Sequence, residues 1–141
     1  MKLHAYLNFP GNAEEAFTFY RSIFGGELSV YRFKDMPMEG VELAPEDEDK
    51  VMHVSLPIGE DSVLMASDTP QSFGRELVQG NNVYVSAHPA SREEADRIFN
   101  ALAEGGGIEM PIADQMWGDY YGSLRDRFGI HWMVNHHPQE G

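Results

Sequence analysis

Asn8-Phe9-Pro10-Gly11-Asn12-Ala13-Glu14-Glu15-Ala16 is echoed by Ala87-His88-Pro89-Ala90-Ser91-Arg92-Glu93-Glu94-Ala95, at a constant separation of 79 residues. The correspondence continues without a gap through Phe19/Ile98, Tyr20/Phe99, Ile23/Leu102 and Gly26/Gly105. Each copy reads as a short apolar run, a proline, a polar first turn and an amphipathic helix. Self-similarity at a fixed period means that one supersecondary unit is used twice, so the second copy must repeat the fold of the first.

The helices are read from apolar spacing. Ala16, Phe19, Tyr20, Ile23 and Phe24 form one stripe, with Asn12 as the expected N-cap, Glu14 and Glu15 at the positive end of the dipole, and Gly25-Gly26 as the stop. Ala95, Ile98, Phe99, Leu102 and Ala103 repeat it, with Ser91 as cap and Gly105-Gly106-Gly107 as terminator. Strands are expected at Leu3–Phe9 and Leu28–Phe33, and as a hairpin of Val51–Ile58 with Ser62–Ser67. After a looser connection at Gln71–Gly80, the second copy is expected to supply Asn82–Ala87, a short Ile108–Met110, and a hairpin of Tyr120–Leu124 with Ile130–Asn135. The two hairpins align at a separation of 68, pairing Ser55-Leu56 with Ser123-Leu124 and Leu64-Met65 with Trp132-Met133. The shorter separation places an eleven-residue excess in the first copy, at Asp35–Lys50, where Glu39, Glu42, Glu46, Asp47, Glu48 and Asp49 read as a solvated acidic loop. The chain is thus one α+β domain over 1–141, built of βαβββ modules at 1–72 and 80–137.

Charge narrows the partners. With 10 Lys+Arg against 23 Asp+Glu, the formal charge is −13. Neither nucleic acid nor an anionic membrane is an expected partner, because both need clustered cations. The surplus favours a neutral or cationic ligand over a phosphonate. The absence of cysteine excludes disulfides, thiolate metal sites and a cysteine nucleophile. Met1-Lys2-Leu3-His4-Ala5-Tyr6 lacks the apolar core of a signal peptide, and a cytoplasmic protein is expected.

A paired βαβββ chain resembles the vicinal oxygen chelate superfamily of glyoxalase I, bleomycin-resistance proteins and extradiol dioxygenases. Two stretches resemble its PhnB-like branch: Tyr6 to Ala16 with Phe19-Tyr20 and Phe24-Gly25, and Trp117-Gly118-Asp119-Tyr120-Tyr121-Gly122 continuing to Asp126-Arg127-Phe128-Gly129-Ile130-His131-Trp132. The resemblance spans Leu3 to Asn135. It implies eight strands in a curved mixed sheet around a cavity, and a homodimer. Labels attached to the branch include a ubiquinone methyltransferase, but no glycine-rich nucleotide motif is present to hold a methyl donor.

The resemblance also implies four metal-ligand positions, one on the first and one on the last strand of each module. In this sequence they fall on Ala5, on Asn82 or Tyr84, and on or near Met65 and Met133. Ala and Met are not ligands for a hard divalent ion, so no metal cofactor is expected. His53 and His131 are expected as hydrogen-bonded polar lining, and His88, His136 and His137 as solvent-exposed.

What remains is a pocket. Trp117, Tyr120, Tyr121, Trp132 and Met133 gather in one hairpin region, with Met65 at the matching place in the other module. The expected ligand pocket comprises His53, Met65, Asn82, Tyr84, Trp117, Tyr121, His131 and Met133, an apolar and adaptable lining with a few polar contacts. Its expected occupant is a small organic molecule. Two other readings stay open: a metal-dependent lyase, isomerase or dioxygenase using His53 or His131, and capture of a cationic drug.

Overall fold

The structure, a computed structural model, describes residues 1–36, 39, 40 and 42–138. Pro37, Met38 and Val41, within the acidic stretch Asp35–Lys50, lie outside the described residues. The chain forms two compact units, Met1–Val78 and Gln79–Gly141.

The first unit contains β1 (Tyr6–Phe9), α1 (Ala13–Phe24), β2 (Ser29–Arg32), β3 (Val51–Ile58) and β4 (Ser62–Asp68), with strand order β1-β4-β3-β2. The second contains β5 (Val85–Ala87), α2 (Arg92–Ala103), β6 (Gly107–Asp114), β7 (Tyr120–Arg125) and β8 (His131–His136), in the order β5-β8-β7-β6. In both sheets the first strand runs parallel to the last, and the remaining pairs are antiparallel. The fold is therefore α+β and βαβββ twice, with its eight strands divided into two four-stranded mixed sheets. Among the described residues no helix is long and apolar enough to cross a membrane.

The repeat holds to within one residue. The helices Ala13–Phe24 and Arg92–Ala103 are 79 apart, and the hairpin registers Ser55↔Met65 and Ser123↔Met133 are 68 apart. The first strands differ: Leu7 pairs with Ala66, whereas the residue paired with the equivalent Val134 is Ala87, a separation of 80. The second module is one residue shorter between strand and helix, and a one-residue slip exchanges the faces of a strand.

Each sheet packs its helix on one face. In the first unit Phe9, Val54, Leu56 and Ala66 meet Ala13, Ala16, Phe17 and Tyr20 of α1, all with 0% exposure. The apolar stripe is centred on Phe17, not on Phe19 and Phe24, which are only half-buried. Phe17 packs edge-on against Phe9 at 6.3 Å and against Tyr20 at 5.4 Å, contacts of about 0.5–1.5 kcal/mol each beyond burial itself.

Asn12 does not cap α1 with its side chain. Asp68, at the end of β4, supplies the acceptor instead: Oδ1 takes the Ala13 N–H at 2.9 Å and Oδ2 takes the Val51 N–H at 2.9 Å. Burial still pushes this carboxyl above the usual carboxylate range. In α2 the expected cap is present, with Ser91 Oγ accepting from the Glu94 N–H at 3.1 Å.

Asp126 does comparable work in the hairpin between β7 and β8. Oδ1 accepts the Phe128 and Ile130 N–H groups, and Oδ2 accepts the Trp132 indole N–H at 2.9 Å. Behind Trp132, α2 lies so close to β7 that a Cβ on Gly122 would stand 2.8 Å from both the Phe99 ring and Ile112 Cα.

The acidic stretch is not wholly a solvated loop. Asp47 is fully buried, accepting from Lys50 Nζ at 2.7 Å and from both the backbone N–H and the hydroxyl of Ser72. It ties the 3-10 turn Pro45–Asp47 to the turn Gln71–Phe73. Lys50 and Ser72 hold the Asp47 carboxyl below its usual range.

Three outcomes follow from these contacts. Asp68→Ala should cost about 1–3 kcal/mol for each backbone N–H left unpaired, read as a lower urea midpoint. Gly122→Ala should lose about 1–3 kcal/mol to overpacking, with Phe99 resonances displaced. A lowered folded-state value means that Asp47 stabilises the protein when ionised and that this contribution fades as pH falls through that value. Asp47→Asn should therefore lower Tm at neutral pH, and its difference from the parent should shrink at acid pH.

Candidate functional site

The face of each sheet turned away from its helix carries polar side chains together with tyrosine and histidine rings. In the first unit, Tyr6, Met65, Ser55 and Ser29 form one cross-strand row. The Tyr6 hydroxyl bonds His53 Nδ1 at 3.1 Å, with the rings 5.7 Å apart. His53 and Met65, both expected pocket residues, therefore share this open face. Tyr6, not Ala5, takes the position beside Met65, because the parallel register pairs Tyr6 with it.

A bulge in β3 shapes the neighbouring surface. Tyr31 pairs with His53 and Arg32 with Val51, leaving Met52 as the extra residue. Such a bulge re-aims side chains locally. Val51 enters the helix-side core at 1% exposure, while Met52 lines a cavity of about 230 Å³.

That cavity belongs to the first unit alone. Asn8, Ser67 and Thr69 provide polar lining, Phe33, Met52, Pro70 and Phe73 apolar lining, Asp68 a buried carboxyl and Arg75 a cation. Phe33 and Phe73 meet edge-on with centroids 5.3 Å apart. Ser67 Oγ donates to Asn8 Oδ1 at 3.2 Å, whereas the buried Thr69 hydroxyl oxygen has no partner among the described residues. None of the eight residues expected to line a pocket lines this cavity.

The second unit brings together Tyr84, Tyr121, His131 and Met133 on the open side of its sheet, and adds a residue that periodicity missed. Glu109 Oε1 lies 3.3 Å from His131 Nδ1, while Oε2 accepts the Tyr84 hydroxyl at 2.9 Å. The Tyr84 and His131 rings are 5.2 Å apart. Glu109 is the unpaired residue of a bulge in β6, between the Ile108↔Leu124 and Met110↔Ser123 pairs. The hydrogen bond to Glu109 raises the Tyr84 hydroxyl above its ordinary value. Trp117 is exposed and stands 6.5 Å from the Tyr121 ring. Asn82 lies exposed before β5 and makes no hydrogen bond to this group.

The other histidines have separate partners. His137 meets Asp119, which also accepts from Asn135 Nδ2 at 3.0 Å and is held below its usual range by these two neighbours. His136 is half-buried, not exposed, because it ends β8 and its Nδ1 reaches the Pro89 carbonyl at 3.0 Å. His88 is exposed, as expected, 2.9 Å from Ser86 Oγ.

A metal of the kind the superfamily resemblance implies requires three or four nitrogen or oxygen donors converging on one point. Tyr6 beside Met65 and Ser86 beside Met133 occupy the paired open-face places, and among the described residues no three His, Asp or Glu side chains gather to hold an ion. The donor set does not fit such a metal.

These sheets and their helices define the glyoxalase/bleomycin resistance/dioxygenase fold. The chain belongs to the family described as 3-demethylubiquinone-9 3-methyltransferase, whose model matches residues 1–135. Protein YjdN of Escherichia coli K12 is 29% identical over 144 residues, covering 96% of this chain and 95% of that protein. The crystal structure of protein PA1353 from Pseudomonas aeruginosa is similar at TM-score 0.84 and 38% identity, covering 98% of this chain and all of the other. A PhnB protein from Bacillus cereus shares the fold at TM-score 0.71 and 24% identity, over 96% of this chain and 99% of its own. Glyoxalase/bleomycin resistance proteins share it at 15% and 18% identity, with TM-scores of 0.63 and 0.61.

The Glu109–His131 contact has a spectroscopic consequence. With Glu109 accepting from Nδ1, neutral His131 should carry its proton there, leaving Nε2 as the acceptor. Two-bond ¹H–¹⁵N spectra should show this tautomer in the parent protein and its loss in Glu109→Ala.

Proposed function

We propose that this protein binds a small organic molecule in the cavity at the open face of its first sheet. The observation that carries the reading is the cavity itself, about 230 Å³ and lined by Phe33, Phe73, Met52 and Pro70 beside a few polar groups. An apolar protein cavity of roughly 150 Å³ already takes up benzene, so this one accommodates a single ring with a substituent. Few polar groups on an apolar wall are the usual arrangement for orienting such a ligand. The polar cluster of Tyr84, Glu109 and His131 gives the second unit an open face of different chemistry.

The same reading includes a homodimer. Ile108, Met110 and Trp117 are 45–62% exposed in the second unit, apolar area that a second copy would cover.

An NMR screen of single-ring compounds tests the binding reading. Amide shifts are expected at Asn8, Phe33, Met52, Ser67 and Thr69, weakened in Phe73→Ala. Shifts confined to other residues would overturn it. Light scattering should return twice the 15.9 kDa chain mass; a monomer at micromolar concentration would remove the dimer.

A further inference from the structure

Global charge and local charge disagree at the cavity. The chain carries −13 overall, yet the charged side chains lining the cavity are Arg75 and the buried Asp68. Both Asp68 oxygens already accept backbone N–H groups, from Ala13 and Val51. Arg75 makes no ion pair or hydrogen bond with any described residue. Arg75 is exposed, and its place at the mouth of the cavity is what marks it.

Hydrogen-bonding capacity points the same way. Thr69 Oγ1 is buried without a partner among the described residues, so its hydroxyl can donate. The Asn8 amide oxygen is occupied by Ser67, which leaves its Nδ2 group to donate. An Arg fork, a hydroxyl and an amide N–H₂ together match an acceptor-rich planar group, and guanidinium geometry suits a carboxylate in particular. Phe33, Phe73, Met52 and Pro70 supply apolar wall for a ring. The rim is anchored as well: Asp47, paired with Lys50, holds Ser72 in the turn that presents Phe73 and leads to Arg75.

From this arrangement we infer that the cavity takes a small aromatic carboxylate, its ring against Phe33, Met52, Pro70 and Phe73 and its carboxylate on Arg75 with Thr69 and Asn8 donating. This rests on the proposal that the cavity is a binding site and adds the chemical class of the ligand.

Calorimetric titration of the full chain with benzoate, benzamide and benzamidine separates the two claims, since the three probes share ring and shape and differ in charge. Benzoate should bind with 1:1 stoichiometry and at least about tenfold more tightly than the others, the scale of a charge-assisted hydrogen bond. Arg75→Gln should remove that advantage while leaving benzamide binding unchanged, and Thr69→Val should weaken benzoate with the fold intact by circular dichroism. The Arg75 Nε–H resonance should move on adding benzoate. If benzamide or benzamidine binds as well as benzoate, the carboxylate assignment falls and the cavity reading stands. If none of the three shifts Asn8, Met52 or Thr69, both fall.

Discussion

The Asp68 carboxylate is the point on which the first unit is assembled. It sits at the end of β4 and accepts the first N–H of α1 and the first N–H of β3. A buried backbone N–H without an acceptor costs free energy comparable to a lost hydrogen bond, so one side chain fixes where the helix begins and where the first strand of the hairpin begins. That placement seats Phe17 against Phe9. Desolvation raises the Asp68 carboxyl, which shows that burial outweighs the two donors electrostatically even as they require it structurally. In the second unit, Asp126 anchors the β7–β8 turn and the Trp132 indole.

The functional surfaces depend on irregularities in otherwise repeated sheets. The bulge at Met52 sends Val51 into the core and Met52 into the cavity lining. The bulge at Glu109 accompanies a carboxylate that meets both Tyr84 and His131. Two modules with the same strand order thus carry different chemistry on their open faces. Both carry a phenol beside an imidazole, Tyr6 with His53 and Tyr84 with His131; the first adds a largely apolar cavity with Arg75 as its cation, and the second adds the Glu109 carboxylate.

Much of the fold was legible because its signals are local. Helical spacing, Ser91, the glycine stops and the Asp126–Gly129 turn placed both helices and both hairpins, and Val51–Ile58 matched to the residue. The errors have physical causes. Asn12 lost its capping role to a residue 56 positions later. Ile108–Met110 became Gly107–Asp114 because two bulges interrupt the alternation that marks a strand. Asp47 looked solvated because its partner Ser72 lies in a different loop. Of the expected pocket residues, Tyr84 and His131 were joined by Glu109, which no motif marked. The cavity at Asn8, Met52, Thr69 and Arg75 drew on segments read as plain strand or loose connection.

The sequence by itself determined that one βαβββ unit is used twice, which family the chain resembles, and that the ligand positions implied by that family lack donors for a hard metal. Periodicity and repetition record the first of these, while the matched motifs carry the resemblance and what it implies. Only the tertiary structure decided which polar groups meet. Register, bulges and caps are settled by pairing between distant segments, and a shift of one residue turns a side chain from the core to the open face. Glu109 reaches His131, and Arg75 comes to a cavity floored by Thr69, through contacts that the linear order of residues does not encode locally.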